Sequence, residues 1–235
     1  MEFKEYYKNK SVVDKYEEER DKGIKAKVFR RLERRFVELL VQGCKQNMLE
    51  AGVGTGFITE ILRKHGHLDG FDISTEMIRK TKSKFPDMHI VEGDILNLKL
   101  NKKYDTIVSI RVISHFKFND AKKALINLRN HLNTNGEVIF NLENRSITRR
   151  LLRKIMKWGS TETYQYSSRD INALIKESGL KLSKIIYLDH FFMLPMHFLN
   201  KILLGSLDNF IIRLETKLSG VRFSSNNSFI KCQKL

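Results

Sequence analysis

Cysteine and proline are scarce in this chain, with two of each in 235 residues. Cys44 and Cys232 are too few and too far apart for a disulfide framework or a metal cluster, so no metal is expected and a reducing, cytoplasmic location is. With only Pro86 and Pro195, no proline-rich linker marks a domain boundary, and neither an internal repeat nor a low-complexity tract interrupts the chain. A long apolar run is missing as well. The most apolar stretch, "HFFMLPMHFLNKILLGSLDNFII", is broken by Pro195, Asn200, Lys201, Gly205 and Asp208, which argues against a membrane span. The first residues, "MEFKEYYKNK", are charged and lack the apolar core of a signal peptide. Acids are the other shortage: 27 against 43 basic residues leave a net charge of +16. Such a surplus attracts nucleic acid, anionic small molecules and acidic membranes alike, and says nothing about fold.

What is present is a regular alternation. Residues 3–42 place Phe29, Leu32, Phe36, Leu39 and Leu40 at helical spacing, which predicts one or two helices separated at Gly23. From residue 46 the pattern reads strand to Glu50, helix 55–65, strand 67–72, helix 74–84, and a strand through "HIVEGD". It continues with strand "YDTIVSI", a helix over about 119–132, strand "EVIFNL", helix 168–179, strand "LKLSKIIYL" and a seventh strand in "SFIKCQKL". Alternating strands and helices force a mostly parallel sheet covered on both faces, with ligands at the carboxyl ends of its strands. One domain over residues 1–235 is expected: N-terminal helices in 1–45, a binding core in 46–142, and insertions at 143–167 and 189–222 that are candidates for a cap over the site.

The stretch "MLEAGVGTGFITEIL" sets Gly52, Gly54 and Gly56 after a strand, with Glu50 just before them. Glycine there lets the chain turn sharply and lets a ligand approach the backbone. A dinucleotide-binding G-x-G-x-x-G would need its third glycine where Phe57 stands, and has no use for the acid. Glu50 would repel a phosphate but attract the ammonium and sulfonium of S-adenosylmethionine. Asp72, at the end of the next strand, suits a pair of ribose hydroxyls, and Asp94 in "VEGDI" suits the adenine amine.

At these residues the chain resembles the class I S-adenosylmethionine-dependent methyltransferases of the small-molecule, type 11-like kind. "LEAGVGTGF", "GFDISTEMI", "VEGDI", "YDTIVSIRVISHF" and "LNTNGEVIF" look like the family's successive motifs, over residues 46–142. The resemblance implies a Rossmann-like α/β fold: a seven-stranded, mostly parallel sheet with helices on both faces, the last strand antiparallel, plus helical cap elements. It implies S-adenosylmethionine as cofactor and S-adenosylhomocysteine as product. Glu50, Ala51, Gly52 and Gly54 would hold the methionine end, Asp72 and Ile73 the ribose, and Asp94, Ile95 and Met77 the adenine, with Arg111 in the same binding set. In related enzymes an N-terminal helix closes over the cofactor, which would bring Tyr16 and Arg20 of "KYEEERDKG" to the methionine carboxylate or the substrate, with Tyr6 and Tyr7 as alternatives. Where the family usually carries Pro-Gly-Gly, this chain has Asn133, Thr134, Asn135 and Gly136, a departure that keeps a turn.

Methyl transfer from a sulfonium mainly needs alignment and exclusion of water. Should the acceptor need a base, His115 in "VISHF" is the candidate, and packing under a cap is its plainer role. The Asn- or Asp-Pro-Pro-aromatic sequence of base-amino and glutamine methyltransferases is replaced by "SIRV", and neither cysteine is placed for cytosine C5 chemistry. A basic segment, "NRSITRRLLRKIMKW", sets Ile147, Leu151, Ile155 and Trp158 on one stripe and Arg149, Arg150, Arg153, Lys154 and Lys157 around it. It suits an anionic substrate or peripheral contact with an acidic membrane, or it is a solvated helix face. The second insertion, with Phe191, Phe192, Met193, Leu194, Met196 and Phe198, suits a greasy pocket, a lipid-facing lid, a dimer contact or plain core. The expected partner is therefore a small-molecule acceptor with an anionic or apolar portion, for instance glycan- or lipid-linked. An RNA methyltransferase has no support beyond charge, because no appended RNA-binding module is visible; a non-catalytic cofactor-binding subunit is the third alternative.

Overall fold

The computed structural model describes residues 6–7, 9–44, 47–145, 163–190, 193–222 and 225–235. Two helices, α1 (Lys10–Arg20) and α2 (Ile24–Val41), lead into an alternation of β1 (Asn47–Ala51), α3 (Thr59–Leu62), β2 (His67–Asp72), α4 (Thr75–Lys84), β3 (Ile90–Glu92) and β4 (Tyr104–Ser109). There follow α5 (Phe118–Asn130), β5 (Leu132–Asn144), β6 (Gln165–Tyr166), α6 (Ser168–Glu177), β7 (Leu180–His190), α7 (Leu194–Ile202), α8 (Asp208–Leu218) and β8 (Ser225–Lys234). The strands form one sheet in the order β3-β2-β1-β4-β5-β8-β7. All pairs through β5 are parallel, and β8 runs antiparallel to both β5 and β7. The expected architecture thus holds, with one strand more than the seven foreseen: the two-residue β6 pairs with the end of β5.

Side chains alternate across this sheet and divide the core into two layers. Leu49, Ile107, Val138, Phe140 and Ile230 face α5 and α6, whereas their neighbours Met48, Val108, Ile139 and Phe229 face α2. Helix α2 is suited to that place because Val28, Leu32, Phe36, Val37 and Leu40 recur at i, i+4, i+8 and flanking positions, giving it one buried stripe. Phe36 and Phe229, both fully buried, meet edge to face at 6.2 Å between ring centres.

Three expectations need correction or limits. The helix foreseen over 55–65 is helical only over Thr59–Leu62, since the glycine turn before it occupies the residues in front. The insertion at 189–222, a candidate cap by sequence, has α7 and α8 packed beside α2 and β7, with Arg31 of α2 bonded to Asp208 and Asn209 and Lys25 paired with Asp189. The basic stripe from Ile147 to Trp158, and Phe191 with Phe192, lie outside the described residues.

Because Phe229 joins the antiparallel strand to α2 across the core, Phe229→Ala is expected to cost about 3–5 kcal/mol of unfolding free energy in urea titration. A loss below about 1 kcal/mol would mean that α2 does not depend on this contact.

Candidate functional site

Strand β1 ends in a turn whose backbone only glycine adopts without strain. Gly52 has φ 87° and Gly54 φ 54°. At Gly52 space is also lacking: an added Cβ would lie 2.4 Å from Val112 Cγ2. At Gly54 a Cβ would meet no protein atom within 4 Å, so the constraint is the backbone alone. The Gly52 N–H donates to the Phe71 carbonyl at 2.8 Å, which fastens the turn to β2. The Gly54 N–H donates to Asp72 Oδ2 at 2.8 Å, and the Ser74 N–H donates to Asp72 Oδ1 at 2.9 Å. Each carboxylate oxygen keeps a further lone pair for a ligand hydroxyl. Glu50 Oε2 accepts from the Thr59 hydroxyl at 2.5 Å, linking the strand end to α3.

Above this turn opens a cleft. Glu50, Gly52, Gly54, Asp72, Ile73, Met77, Asp94, Ile95, Arg111, Tyr16 and Arg20 all line it, as does Tyr7. Ala51 does not: its carbonyl accepts from Ser109 Oγ at 3.1 Å, inside the sheet. His115 does not line it either. Its ring stands edge-on to that of Tyr7, which does line the cleft, at 5.9 Å between centres. Asp94 caps the short turn Ile95–Asn97 by accepting from the Leu96 N–H, and Ser74 caps α4 by accepting from the Met77 N–H.

The helices over the cleft bring groups that sequence reading missed. Glu33 of α2 is fully buried, and Arg111 Nε donates to its Oε1 at 2.6 Å. Its other oxygen, Oε2, has no hydrogen-bond partner and lies 3.9 Å from the Arg20 guanidinium. Arg20 donates to the Tyr16 hydroxyl at 2.7 Å, one helical turn back on α1. Arg30 stacks over Phe57, 3.8 Å above the ring. Arg111 itself adopts a left-handed backbone, φ 63°, and its N–H is held by Asn141 Oδ1 at 2.6 Å. Helix α1 is tied down by α4, where Lys80 donates to the Val13 carbonyl and Lys84 to Glu17. One signal of Glu33 was available in sequence: it falls on the apolar stripe of α2 between Phe29 and Phe36, where an acid has no reason to be unless it serves a site.

Burial dominates the electrostatics. It pushes the Glu50 carboxyl up to about 8, against the Thr59 hydrogen bond and with the Asp72 charge adding to the rise. Burial likewise raises Asp72, which the N–H donors of Ser74 and Gly54 resist, and raises Glu33 against the pull of Arg20 and Arg30. The cleft therefore gathers buried carboxyls, raised by desolvation, together with guanidinium groups. That arrangement fits the cofactor implied by the motifs, whose methionine end is a zwitterion carrying an added sulfonium: Glu50 and the Glu33 oxygen that accepts no hydrogen bond suit its cationic groups, and Arg20, Arg30 or Arg111 its carboxylate.

Comparison with known proteins agrees with this geometry. Residues 48–136 match the model of a methyltransferase-domain family. An uncharacterized methyltransferase of Alkaliphilus oremlandii is 34% identical over 122 residues, which are 50% of this chain and 56% of that protein. A malonyl-[acyl-carrier protein] O-methyltransferase of Bacillus anthracis is 33% identical over 98 residues, 40% of this chain and 36% of that one. The chain spans about half the length of the first two curated relatives it matches, 56% and 48%. Among solved structures, magnesium protoporphyrin IX methyltransferase from Synechocystis PCC 6803, with S-adenosylhomocysteine bound, superposes over 99% of this chain and 98% of its own with a TM-score of 0.69 and 15% identity, a likeness of fold.

The raised Glu50 gives a signed expectation. With no ligand its carboxyl is mostly protonated at neutral pH, and a cation beside it favours the ionised form, so binding of S-adenosylmethionine should release a proton. Affinity should therefore rise with pH until about 8 and level off beyond it. In Glu50→Gln, calorimetry in buffers of different ionisation enthalpy should find both the rise and the proton release diminished. Identical pH profiles for the two proteins would remove Glu50 from the binding site.

Proposed function

The core of this chain belongs to the class I S-adenosylmethionine-dependent methyltransferases, and from that premise we propose that the protein transfers a methyl group to a small-molecule acceptor. The observation that carries the proposal is the pair of buried acids, Glu50 and Asp72, at adjacent strand ends beneath an arginine-lined cleft. Bound there, the cofactor supplies a methyl group already activated by its cationic sulfur. The protein's own part is then to bind, orient and exclude water. Asp72 holds the ribose hydroxyls while its Gly54 and Ser74 donors keep it in place. Glu50 and Glu33 meet the cationic end, Arg20 with Tyr16 meets the carboxylate, and Asp94, Ile95 and Met77 frame the adenine. Helix α1 shields the cleft from water.

The acceptor enters from the side of Tyr7 and Phe116, where the lining is apolar but arginines are near. An acceptor with an anionic or apolar portion, such as a lipid- or glycan-linked intermediate, fits that mixture. Neither the B. anthracis relative nor the Synechocystis protein is named for a nucleic-acid acceptor. His115 is the proposed base; since it does not itself line the cleft but touches Tyr7, which does, it acts where Tyr7 shifts or relays the proton. Tyr7 is itself held as a neutral phenol, because burial raises its pKa further above neutrality. The reading places the protein in the cytoplasm, where free Cys44 and Cys232 stay reduced.

The test is transfer of tritium from methyl-labelled S-adenosylmethionine into a cell extract divided into small-molecule, protein and RNA fractions. Label is expected in the small-molecule fraction. Label in RNA would favour the basic-surface alternative, and cofactor binding with no transfer to any fraction would favour a non-catalytic subunit. In the same assay His115→Ala should lower turnover at least about tenfold with cofactor affinity unchanged; unchanged turnover would leave His115 a packing residue.

A further inference from the structure

Nine large apolar side chains are exposed among the described residues, and seven of them fall between Phe198 and Val221. On α7, Phe198 (68% exposed), Leu199 and Ile202 (61%) share one face, at i, i+1 and i+4, with Pro195 a turn earlier. The opposite face carries the buried Met193, His197 and Asn200, so this helix is seated on the protein by a mixed face and turns its most apolar face to solvent. The turn into α8 is built, not frayed. Asn200 accepts from the Leu207 N–H, donates to Asp208, and through its carbonyl holds the Gly205 N–H. That turn presents Leu204, 87% exposed, in a left-handed backbone of φ 50°. An apolar branched residue kept in a disfavoured conformation in water points to a surface that meets something.

The charges around the face have one sign. From Met193 to Arg222 the only acids are Asp208, bound by Arg31 and Asn200, and Glu215, fully buried. Lys201, Arg213 and Lys217 are exposed, and Phe210, Arg213 and Lys217 lie on one face of α8 at i, i+3 and i+7. We propose that the α7–α8 hairpin docks on the surface of an anionic lipid bilayer, with Phe198, Ile202 and Leu204 entering the headgroup boundary and Lys201, Arg213 and Lys217 meeting acidic headgroups. No helix among the described residues is long and apolar enough to cross a membrane, so the hairpin lies on the surface. Two copies meeting through this patch would crowd like charges, whereas aliphatic Ile202 and Leu204 offer a nucleic acid no stacking plane. Helix α2 links the hairpin to the cleft: Arg31 bonds it on one side, and Arg30 and Glu33 line the cleft on the other. The proposal deepens the reading of a lipid-linked acceptor, and its test is independent of turnover.

The full chain is sedimented with vesicles of phosphatidylcholine alone and of phosphatidylcholine mixed with phosphatidylglycerol, without cofactor. Partitioning to the anionic vesicles is expected to be at least about tenfold stronger. The variant Phe198→Ser, Ile202→Ser, Leu204→Ser should lose about tenfold or more of that binding, and Lys201→Gln, Arg213→Gln, Lys217→Gln should lose the anionic preference. Circular dichroism and calorimetric titration of S-adenosylmethionine should match wild type in both, since none of the six residues lines the cleft. Vesicle binding equal to wild type in the apolar variant, or no binding by the wild type, would overturn the proposal. So would a wild-type dimer in analytical ultracentrifugation that the apolar variant makes monomeric. Absence of methyl transfer, with vesicle binding intact, would count against the methyltransferase reading and leave the docking surface standing.

Discussion

Glu50 and Asp72 are 3% and 8% exposed, and they stand at the ends of neighbouring parallel strands around a glycine turn. Holding two carboxyls so close to each other and so far from water is costly unless donors or cations meet them. The turn answers part of that cost: the Gly54 and Ser74 N–H groups serve Asp72, and Thr59 serves Glu50. What remains would be met by a ligand that brings hydroxyls and positive charge, as in the proposed function, and the elements above the sheet surround that place. Strands β1 and β2 set the spacing, and α3 begins where Thr59 must reach back. Helices α1 and α2 close over the turn with guanidinium groups for the opposite charge.

The second layer of the site depends on the first through Glu33. This buried acid on α2 holds Arg111 from the end of β4 and lies near Arg20 of α1, so one side chain joins the two N-terminal helices to a strand end remote in sequence. Arg111 keeps its strained backbone because Asn141 on β5 fixes its N–H and Glu33 fixes its side chain. Replacing Glu33 would leave two guanidinium groups crowded without their shared counter-charge, a larger change than the loss of one hydrogen bond.

How much of this was legible in the sequence follows from how local each signal is. Glu50, Gly52, Gly54, Asp72 and Asp94 each lie beside their own strand end, so spacing alone placed them, and all five line the cleft. The seven other strands are visible because alternating or continuous apolar runs end at turn residues, while the two-residue β6 has no such pattern. Arg30 and Glu33 reach the cleft across tertiary contacts, and only the misplaced acid on an apolar stripe hinted at one of them. The segment 189–222 is a cap candidate because it interrupts the strand–helix alternation, and its apolar composition does not tell which face is buried. In the fold, Met193 and Ile211 go inward against α2 while Phe198 and Ile202 go outward, and none of them reaches the cleft.

The central claim is that the acid and glycine turn binds a cationic adenosyl cofactor and not a pyrophosphate. Calorimetric titration of the wild-type chain with S-adenosylmethionine, with S-adenosylhomocysteine and a nicotinamide dinucleotide run alongside, addresses it most directly. The account predicts saturable binding, with a Kd on the order of micromolar, for the two sulfur compounds and none for the dinucleotide. Dinucleotide binding without either sulfur compound would contradict it, because the turn between Glu50 and Asp72 would then accept a pyrophosphate and refuse the cationic group that would ionise Glu50.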